Sequence, residues 1–488
     1  MLEVVNVSEM LRLEEEVEFP EHTLMRAAAF GLYVEILDIL RVNFGSAQGL
    51  KILGLIGPGN NGSDALWSMS LLGSHGLNVV AVDTTKKRTH GYADSLFEAN
   101  AGRWSDFDEI ADNFDVIIDG VAGLRNQYAP SKEILDLISR NPEALLVSVD
   151  MPSCFDNDAA EAIDSDSIIY ADYTITFGYL KPCHVFDPAR SFCGEVRVVE
   201  LPLLKPQSKV AQLVEPSNVM DLLHPLDSID HKYSHGVLGV ISGSDQYLGA
   251  GELALLGSQW IGTGYIQFLG PELSDLTPNV VRVTSLEMFH QKTNAIVFGP
   301  GVGVTGENEE ILKTLLQSPL TLILDADAIT LLAQNPKLLK LQQQRSAMSI
   351  FTPHHGEALR LADALQINTT PSAHIWVSDI SRQLNAVVSY KNAHGFISFP
   401  DGSFMVCNTT SHALATAGTG DVLAGLMGSL IARNNPRNFS DLGLCAMGAI
   451  IIHSIAADLA LEHNLYPTAV DIAHKIPAAT KLLKDIYE

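Results

Sequence analysis

Short runs rich in β-branched residues alternate with amphipathic stretches, and this alternation runs twice along the chain. In the first pass the strand candidates are Lys51–Ile56, Asn78–Asp83, 115–119, 145–150, Tyr173–Phe177 and 195–201. The stretch LPLLKPQSKVAQLVEPSN (201–218), with three prolines and little periodicity, interrupts it. The pattern then restarts at 237–242, Tyr265–Leu269, Ala295–Phe298, 320–325, 348–351 and 386–390. A hairpin is expected at 395–399 and 404–407 around Pro400-Asp401-Gly402, and two long helices, 421–433 and 441–462, close the chain. Strands separated by helices require crossovers, which make a parallel sheet covered on both faces. The expectation is an α/β chain of two domains, 1–205 and 219–488, joined by a linker at 206–218, with a Rossmann-like parallel sheet in the first.

Composition narrows the partners. With 488 residues, 47% hydrophobic and 18% charged, the chain can build two real cores. A net charge of −26 argues against broad contact with nucleic acid or an anionic membrane, so anionic ligands must be held by local donors. Five scattered cysteines without CxxC spacing fit a reducing, cytoplasmic compartment and no zinc site. The acidic N-terminus lacks the apolar core of a signal peptide. The most apolar late stretch, 442–452, stops at His453, too short to span a bilayer, and reads as a buried helix. Homo-oligomerisation is left open.

Residues 415–426 read ATAGTGDVLAGL. Gly418, Thr419 and Gly420 make a small-residue turn feeding an apolar helical pattern. Backbone N–H groups at such a helix start form an anion site suited to phosphate. Asp421 at the same spot would repel a phosphate unless it takes a proton from an attacking hydroxyl. Phosphoryl transfer to an alcohol follows as one reading; the other is that Asp421 only caps the helix.

In the first half, strand Lys51–Ile56 runs into GPGNNGSD, with glycines at 57, 59 and 62 and polar groups on Asn60, Asn61, Ser63 and Asp64. Two further strand ends carry Asp119 with Gly123, and Asp150 with Ser153. The carboxyl ends of strands in an open parallel sheet line one crevice, so these residues suggest a shared polar pocket. Its oxygen-only donors suit a hard cation rather than zinc. Each Asp on its own is more readily a loop cap, a reading that does not extend to all of them together.

GPGNNGSD, IIDGVAG, VSVDMPS and ITFGYLKP together resemble the NAD(P)H-hydrate epimerase family over about residues 20–202. The resemblance implies that Asn61, Asp119 and Ser153 hold a potassium ion and that Asp150 is the acid/base residue. It also implies that Asn60, Asn61, Gly62, Ser63 and Asp64 line the nucleotide site, with Gly123, Leu124, Arg125, Asn126, Gln127, Tyr128 and Ala129. Ser63 and Ala65 stand where the family usually has glycine, as does Cys154, and all three are expected to crowd the crevice.

The second half carries a Gly-rich loop before a helix (231–269), NAIVFGPGVG, LILDADAITLL, FTPHHGEALRL, VVSYKNAHG and the GTGD turn. Asp325 and Asp327 have the period-two spacing of a strand end, and His354 ends another strand. In this order the pieces resemble the ribokinase-like αβα fold, and within it the ADP- or ATP-dependent NAD(P)H-hydrate dehydratases. The resemblance implies that Ala250, Gly303, His354 and Asp421 contact the hydrated nicotinamide nucleotide. Lys391, Asn392, Ala393, His394, Gly395 and Gly420 would contact ADP or ATP with its magnesium, and the Gly418, Thr419 and Gly420 amides the transferred phosphoryl group.

Both resemblances name partners in one repair process acting on NADH or NADPH hydrates. The sequence also admits another ribokinase-like small-molecule kinase whose first domain is a non-catalytic nucleotide-binding or scaffolding module.

Overall fold

The computed structural model describes all residues except 18–19, 21, 86–89, 111, 125–127, 226, 274–277 and 488. The chain divides into two compact units, Leu2–Val210 and Ala211–Glu488.

In the first unit, seven strands among the described residues form a wholly parallel sheet. Their order is Arg103–Trp104, Asn78–Asp83, Lys51–Ile56, Val116–Gly120, Leu145–Val149, Tyr173–Phe177 and Glu195–Val199. Side chains alternate faces along a strand. Thus Ile52 and Ile56 pack under helices Thr23–Phe44 and Asn60–Ser74, while Leu53 and Leu55 face Ile134 and Leu137 of helix Lys132–Ser139. Chain order reverses between Lys51–Ile56 and Val116–Gly120, which opens a crevice beyond their carboxyl ends, the usual ligand position in such sheets.

In the second unit the sheet runs Ala211–Leu213, Phe404–Val406, Phe396–Ser398, Val387–Tyr390, Ser349–Phe351, Thr321–Leu324, Ala295–Phe298, Val237–Ile241, Tyr265–Leu269 and Val280–Arg282. The strands from Val387–Tyr390 to Val280–Arg282 are parallel, and the expected hairpin supplies the antiparallel pairs. Helices Leu248–Ser258, Thr419–Asn434, Phe439–Leu461 and Ala469–Tyr487 pack together on the main core. Helix Leu248–Ser258 lies against Thr419–Asn434 at backbone distance. A Cβ on Gly257 would come 2.0 Å from the Val422 carbonyl oxygen, and one on Gly425 would come 1.9 Å from that of Ala254. Only glycine permits this approach, which brings the two loops at these helix starts together.

Three expectations need correction. Residues 206–218 are not a bare linker, because Ala211–Leu213 pairs with Phe404–Val406 and Pro216–Leu222 is a 3₁₀ helix. The prolines mask a short alternation of buried and half-buried residues there. A third helix, Ala469–Tyr487, follows the two expected at the end, with Pro477 inside it. The apolar helix near 442–452 runs from Phe439 to Leu461, 23 residues, long and apolar enough to cross a membrane, and 67% of its most apolar window is buried inside the fold. It continues past His453 because that imidazole is itself buried, and burial pushes it down to about 4.

Arg345 shows how the second unit closes a helix end. Its buried guanidinium donates to the carbonyls of Leu315, Leu316 and Ser318 at 2.9, 2.6 and 2.7 Å, and also to Leu320. These satisfy acceptors left open at the end of helix Gly306–Leu316. Replacing Arg345 by Leu should cost about 3 kcal/mol or more, since several buried carbonyls lose their donor at once. Urea denaturation of the variant against the wild type measures this.

Candidate active sites

The loop after Lys51–Ile56 turns into helix Asn60–Ser74 with Gly59 as its cap. A Cβ on Gly57 would stand 2.1 Å from the Val121 carbonyl oxygen, so the two strand-end loops touch through bare backbone. Asn61 is buried, and its Nδ2 donates to the Val149 carbonyl at 2.8 Å, tying the loop to a third strand end. The Asp119 carboxylate accepts from Ser153 Oγ (2.7 Å), Ser153 N (3.1 Å), Val121 N (3.1 Å) and Ser148 Oγ (3.2 Å). Burial pushes the Asp119 carboxyl up, and these hydrogen bonds oppose the shift. No cationic side chain pairs with it among the described residues.

Asp150 sits just past strand Leu145–Val149 with a left-handed backbone (φ 66°), a strained conformation for a residue with a side chain. Its Oδ1 accepts from Lys181 Nζ at 2.6 Å and from Thr176 Oγ1 at 2.8 Å. Lys181 is fully buried, and its remaining donors reach Thr176 Oγ1 (2.9 Å) and the Phe177 carbonyl (3.1 Å). His184 Nε2 donates to the Asp150 carbonyl at 2.6 Å, while its Nδ1 accepts from the Lys181 amide at 3.0 Å. One imidazole therefore clamps the backbone of both partners. Burial pushes the Asp150 carboxyl up, but the Lys181 charge and the hydrogen bonds outweigh it and hold it below the usual range. Burial, with the Lys181 charge beside it, pushes His184 down to about 4, so the clamp is neutral.

These side chains border a cavity of about 550 Å³ lined by Asn60, Asn61, Asp64, Gly123, Leu124, Asp150 and Lys181, with residues of the first two helices. Burial pushes the Asp64 carboxyl well above the usual range, and the Asp150 and Glu14 charges add to it. Other expected residues lie elsewhere. A Cβ on Gly62 would be 2.1 Å from the Gly57 carbonyl oxygen, so this glycine serves the loop's own packing. Ser63 Oγ lies 2.6 Å from His90 Nδ1, Tyr128 and Ala129 are exposed, and none of the three lines the cavity. Arg125, Asn126 and Gln127 lie outside the described residues. The expected crowding is absent: Ala65 packs in the core, the Cys154 thiol donates to the Asp164 carbonyl at 3.0 Å, and neither these nor Ser63 borders the cavity. The reading of the residues passed over Lys181 and His184. The available signal was a Lys and a His straight after a strand end inside an apolar run.

In the second unit Gly418, in the left-handed region (φ 88°), caps helix Thr419–Asn434. Asp421 is therefore not the cap residue but stands three positions inside. The Thr419 hydroxyl lies 2.9 Å from the carbonyls of Leu414 and Thr416, holding the turn. Lys391, at the end of strand Val387–Tyr390, donates to Asp325 Oδ1 at 2.7 Å, and a Cβ on Gly420 would stand 3.3 Å from the same ammonium. Asp325 also accepts from Thr352 Oγ1 at 2.7 Å. The Gly303 amide donates to Asp327 at 2.8 Å, and a Cβ on Gly301 would meet that of Ala250 at 2.6 Å. His354 caps helix His355–Ala364: its Nδ1 accepts from the Gly356 amide at 3.0 Å, and its amide donates to Glu357 at 2.9 Å. Asn392 and Ala393 are exposed beside Lys391, while His394 and Gly395 are half-buried. Burial pushes Asp421 up to about 7, reinforced by Asp325 and opposed by Lys391, with Glu357 and Asp327 adding to the rise. A carboxylate poised near neutrality beside helix-start amides and an ammonium can accept a proton while an anion binds.

Two family models match in tandem: "YjeF-related protein N-terminus" over residues 21–183 and "NAD(P)H-hydrate dehydratase" over residues 238–478. The chain is 31% identical to the bifunctional NAD(P)H-hydrate repair enzyme of Mycobacterium tuberculosis, covering 86% of each chain. It is 27% identical to that of Thermofilum pendens, covering 100% of this chain and 98% of the other. A solved structure of ADP/ATP-dependent NAD(P)H-hydrate dehydratase from Bacillus subtilis, co-crystallised with ATP and Mg²⁺, is 26% identical over 56% of this chain and 98% of that one, with a TM-score of 0.46. The tandem match and the full-length relatives agree that the chain belongs to the family of bifunctional NAD(P)H-hydrate repair enzymes.

Proposed function

We propose that the second unit dehydrates the S hydrate of NADH or NADPH at the expense of ADP or ATP, and that the first unit interconverts the R and S hydrates. The observation carrying the reading is Asp421, a half-buried carboxylate near neutrality beside the amides of a helix start. The hydrate bears a hydroxyl at C6 of the reduced ring. Asp421 takes its proton as the oxygen attacks the terminal phosphoryl group. Lys391 and the Gly418–Gly420 amides stabilise the charge on the transferred oxygens. Elimination of phosphate, a far better leaving group than hydroxide, restores the NAD(P)H. Ala250 in the first turn of helix Leu248–Ser258, the loop of Gly303 and the cap His354 border the substrate, and the 391–395 turn the nucleotide. The acidic oxygens of this site fit magnesium, which keeps most of its waters and phosphate ligands. The ion's chemistry there would be to neutralise phosphate charge.

In the first unit Asp150, held ionised by Lys181, is the base, and Asn60, Asn61 and Asp64 face the nicotinamide nucleotide. Asn61, Asp119 and Ser153 fit potassium, since they are buried oxygens around one carboxylate that no described cation neutralises. Bound there, the ion would brace the loops that carry the pocket. The full chain should therefore melt at a higher temperature in potassium chloride than in matched tetramethylammonium chloride, because a ligand bound only by the folded state stabilises it by mass action. Asp119→Ala should abolish that difference, and equal melting of the wild type in both salts would remove the cation site.

The test of the whole reading is recovery of NADH. Acid-treated NADH containing both epimers is incubated with the protein, ADP or ATP and magnesium. Near-ultraviolet absorbance of the reduced ring should return to completion. Recovery of only the S fraction would sink the epimerase half, and no recovery would sink the dehydratase half. A vitamin-type alcohol kinase would instead consume nucleotide without restoring absorbance.

A further inference from the structure

Epimerising a carbon that bears both a hydroxyl and a ring nitrogen requires one bond to open and re-form. Opening the C6–N1 bond needs a base for the hydroxyl proton and an acid for the nitrogen. The cavity of the first unit offers few groups for this. Among the described residues, its titratable lining consists of Glu14 from helix Val7–Glu16, His22 ahead of helix Thr23–Phe44, Asp64 on helix Asn60–Ser74, and Asp150 with Lys181 on the sheet side. Asp150 is ion-paired and accepts two hydrogen bonds, which suits a base. Lys181 is the obvious cation, but its three donors all point to Asp150, Thr176 and Phe177. It has no proton free to aim at a ligand.

Asp64 differs from both. It is 6% exposed and borders the cavity, and its Oδ1 is buried without a hydrogen-bond partner among the described residues. A buried polar oxygen with no partner calls for a functional explanation. Its surroundings hold two further carboxylates and a lysine already neutralised by Asp150, so its stable form there is the neutral acid. Two carboxyl groups in one cavity, driven to opposite protonation states, constitute an acid/base pair.

We propose that Asp64 is the proton donor of this pocket, giving its proton to ring nitrogen N1 while Asp150 takes the proton of the C6 hydroxyl. The inference rests on the epimerase reading above. The C6–N1 pair of electrons goes to nitrogen, the C6 oxygen becomes a carbonyl, and the ring opens to an aldehyde with an N–H. Rotation about C5–C6 presents the other face of the carbonyl. On closure Asp64 takes back the nitrogen proton, N1 re-forms its bond to C6, and Asp150 returns a proton to the oxygen. Both groups finish as they began, with no oxidant, water or further reactant consumed.

The test uses the full chain without ADP or ATP, so that the dehydratase half is idle, and starts from the purified R hydrate. Appearance of the S hydrate is followed by chromatography across pH. The wild type should give a bell-shaped kcat profile, its acid limb from Asp150 and its alkaline limb from Asp64. Asp64→Asn should lower kcat about 100-fold, leave KM within about threefold, and erase the alkaline limb. Asp64→Glu, which restores an acid, should recover part of kcat together with that limb. A melting temperature for Asp64→Asn at or above wild type checks the fold. Wild type that fails to convert R into S would overturn the epimerase reading itself. Normal wild-type conversion with Asp64→Asn unchanged in kcat, or still showing the alkaline limb, would overturn only the role of Asp64. A measurement on wild type alone is independent of any variant's folding. In oxygen-18 water, ring opening keeps the original oxygen, whereas loss and return of water labels every product molecule. Labelling with each turnover would overturn the assigned step.

Discussion

Asp421→Asn is expected to lower dehydration turnover by about 100-fold or more, the scale of a lost general base, while making the second unit more stable above neutral pH. Both effects have one origin. The carboxyl sits at about 7 in the folded protein against 3.8 for the free side chain, chiefly because it is buried, with Asp325 adding to the rise. The folded state thus holds the proton more tightly than the unfolded chain does. Between those two values the folded state binds more protons, so stability falls as pH rises. The cost is absent below 3.8 and fully present above about 7. An amide carries no such cost. The variant should melt higher than wild type near pH 8 and equally near pH 4, by calorimetry of both proteins. Turnover in the wild type should rise through about pH 7 as the base ionises. A variant that loses both activity and stability at alkaline pH would show that Asp421 serves the fold rather than the reaction.

Lys181→Met should have the largest effect in the first unit. It strands the Asp150 carboxylate in a buried site with its ammonium gone, and breaking such a pair costs roughly 3–5 kcal/mol. In the wild type Asp150 is held below its ordinary value, so its stabilising contribution persists above 3.8 and fades only as pH falls below that. In the variant the Lys181 charge that chiefly opposes burial is gone, and Asp150 rises. Protonation on acidification then relieves the stranded charge. The stability gap between the two proteins should be widest near pH 8 and narrow towards about pH 5. R-to-S conversion should be lost at neutral pH, because a protonated Asp150 is no base. A gap independent of pH would mean that the methionine disturbs packing and that the ion pair is incidental.

Much of this was legible in the chain, for definite reasons. Strands such as Lys51–Ile56, Tyr173–Phe177 and Ala295–Phe298 stand where the β-branched runs placed them, because central parallel strands are buried on both faces and read as continuous apolar runs. Short strands such as Ala211–Leu213 and Val280–Arg282 carry no visible signal, being three residues long and too short to show a period. The helix Ala469–Tyr487 was missed because Pro477, usually a helix breaker, lies within it.

The local chemistry of each loop was set by sequence alone. A Gly-rich turn before an apolar helix makes an anion site wherever it folds, and Asp421, Asp119 and Asp150 announce themselves as acids at strand or helix ends. What each acid does was decided only by the tertiary structure. Asp150 and Asp64 lie 86 positions apart in sequence, yet they border one cavity. Lys181, arriving from the next strand, holds the first below the usual carboxylate range, while burial without a cation holds the second far above it. Asp325 and Lys391, 66 residues apart, likewise become one ion pair beside the GTGD turn. A charge state depends on burial and on neighbours brought by distant strands. Sequence therefore named the acids, and packing assigned the protons.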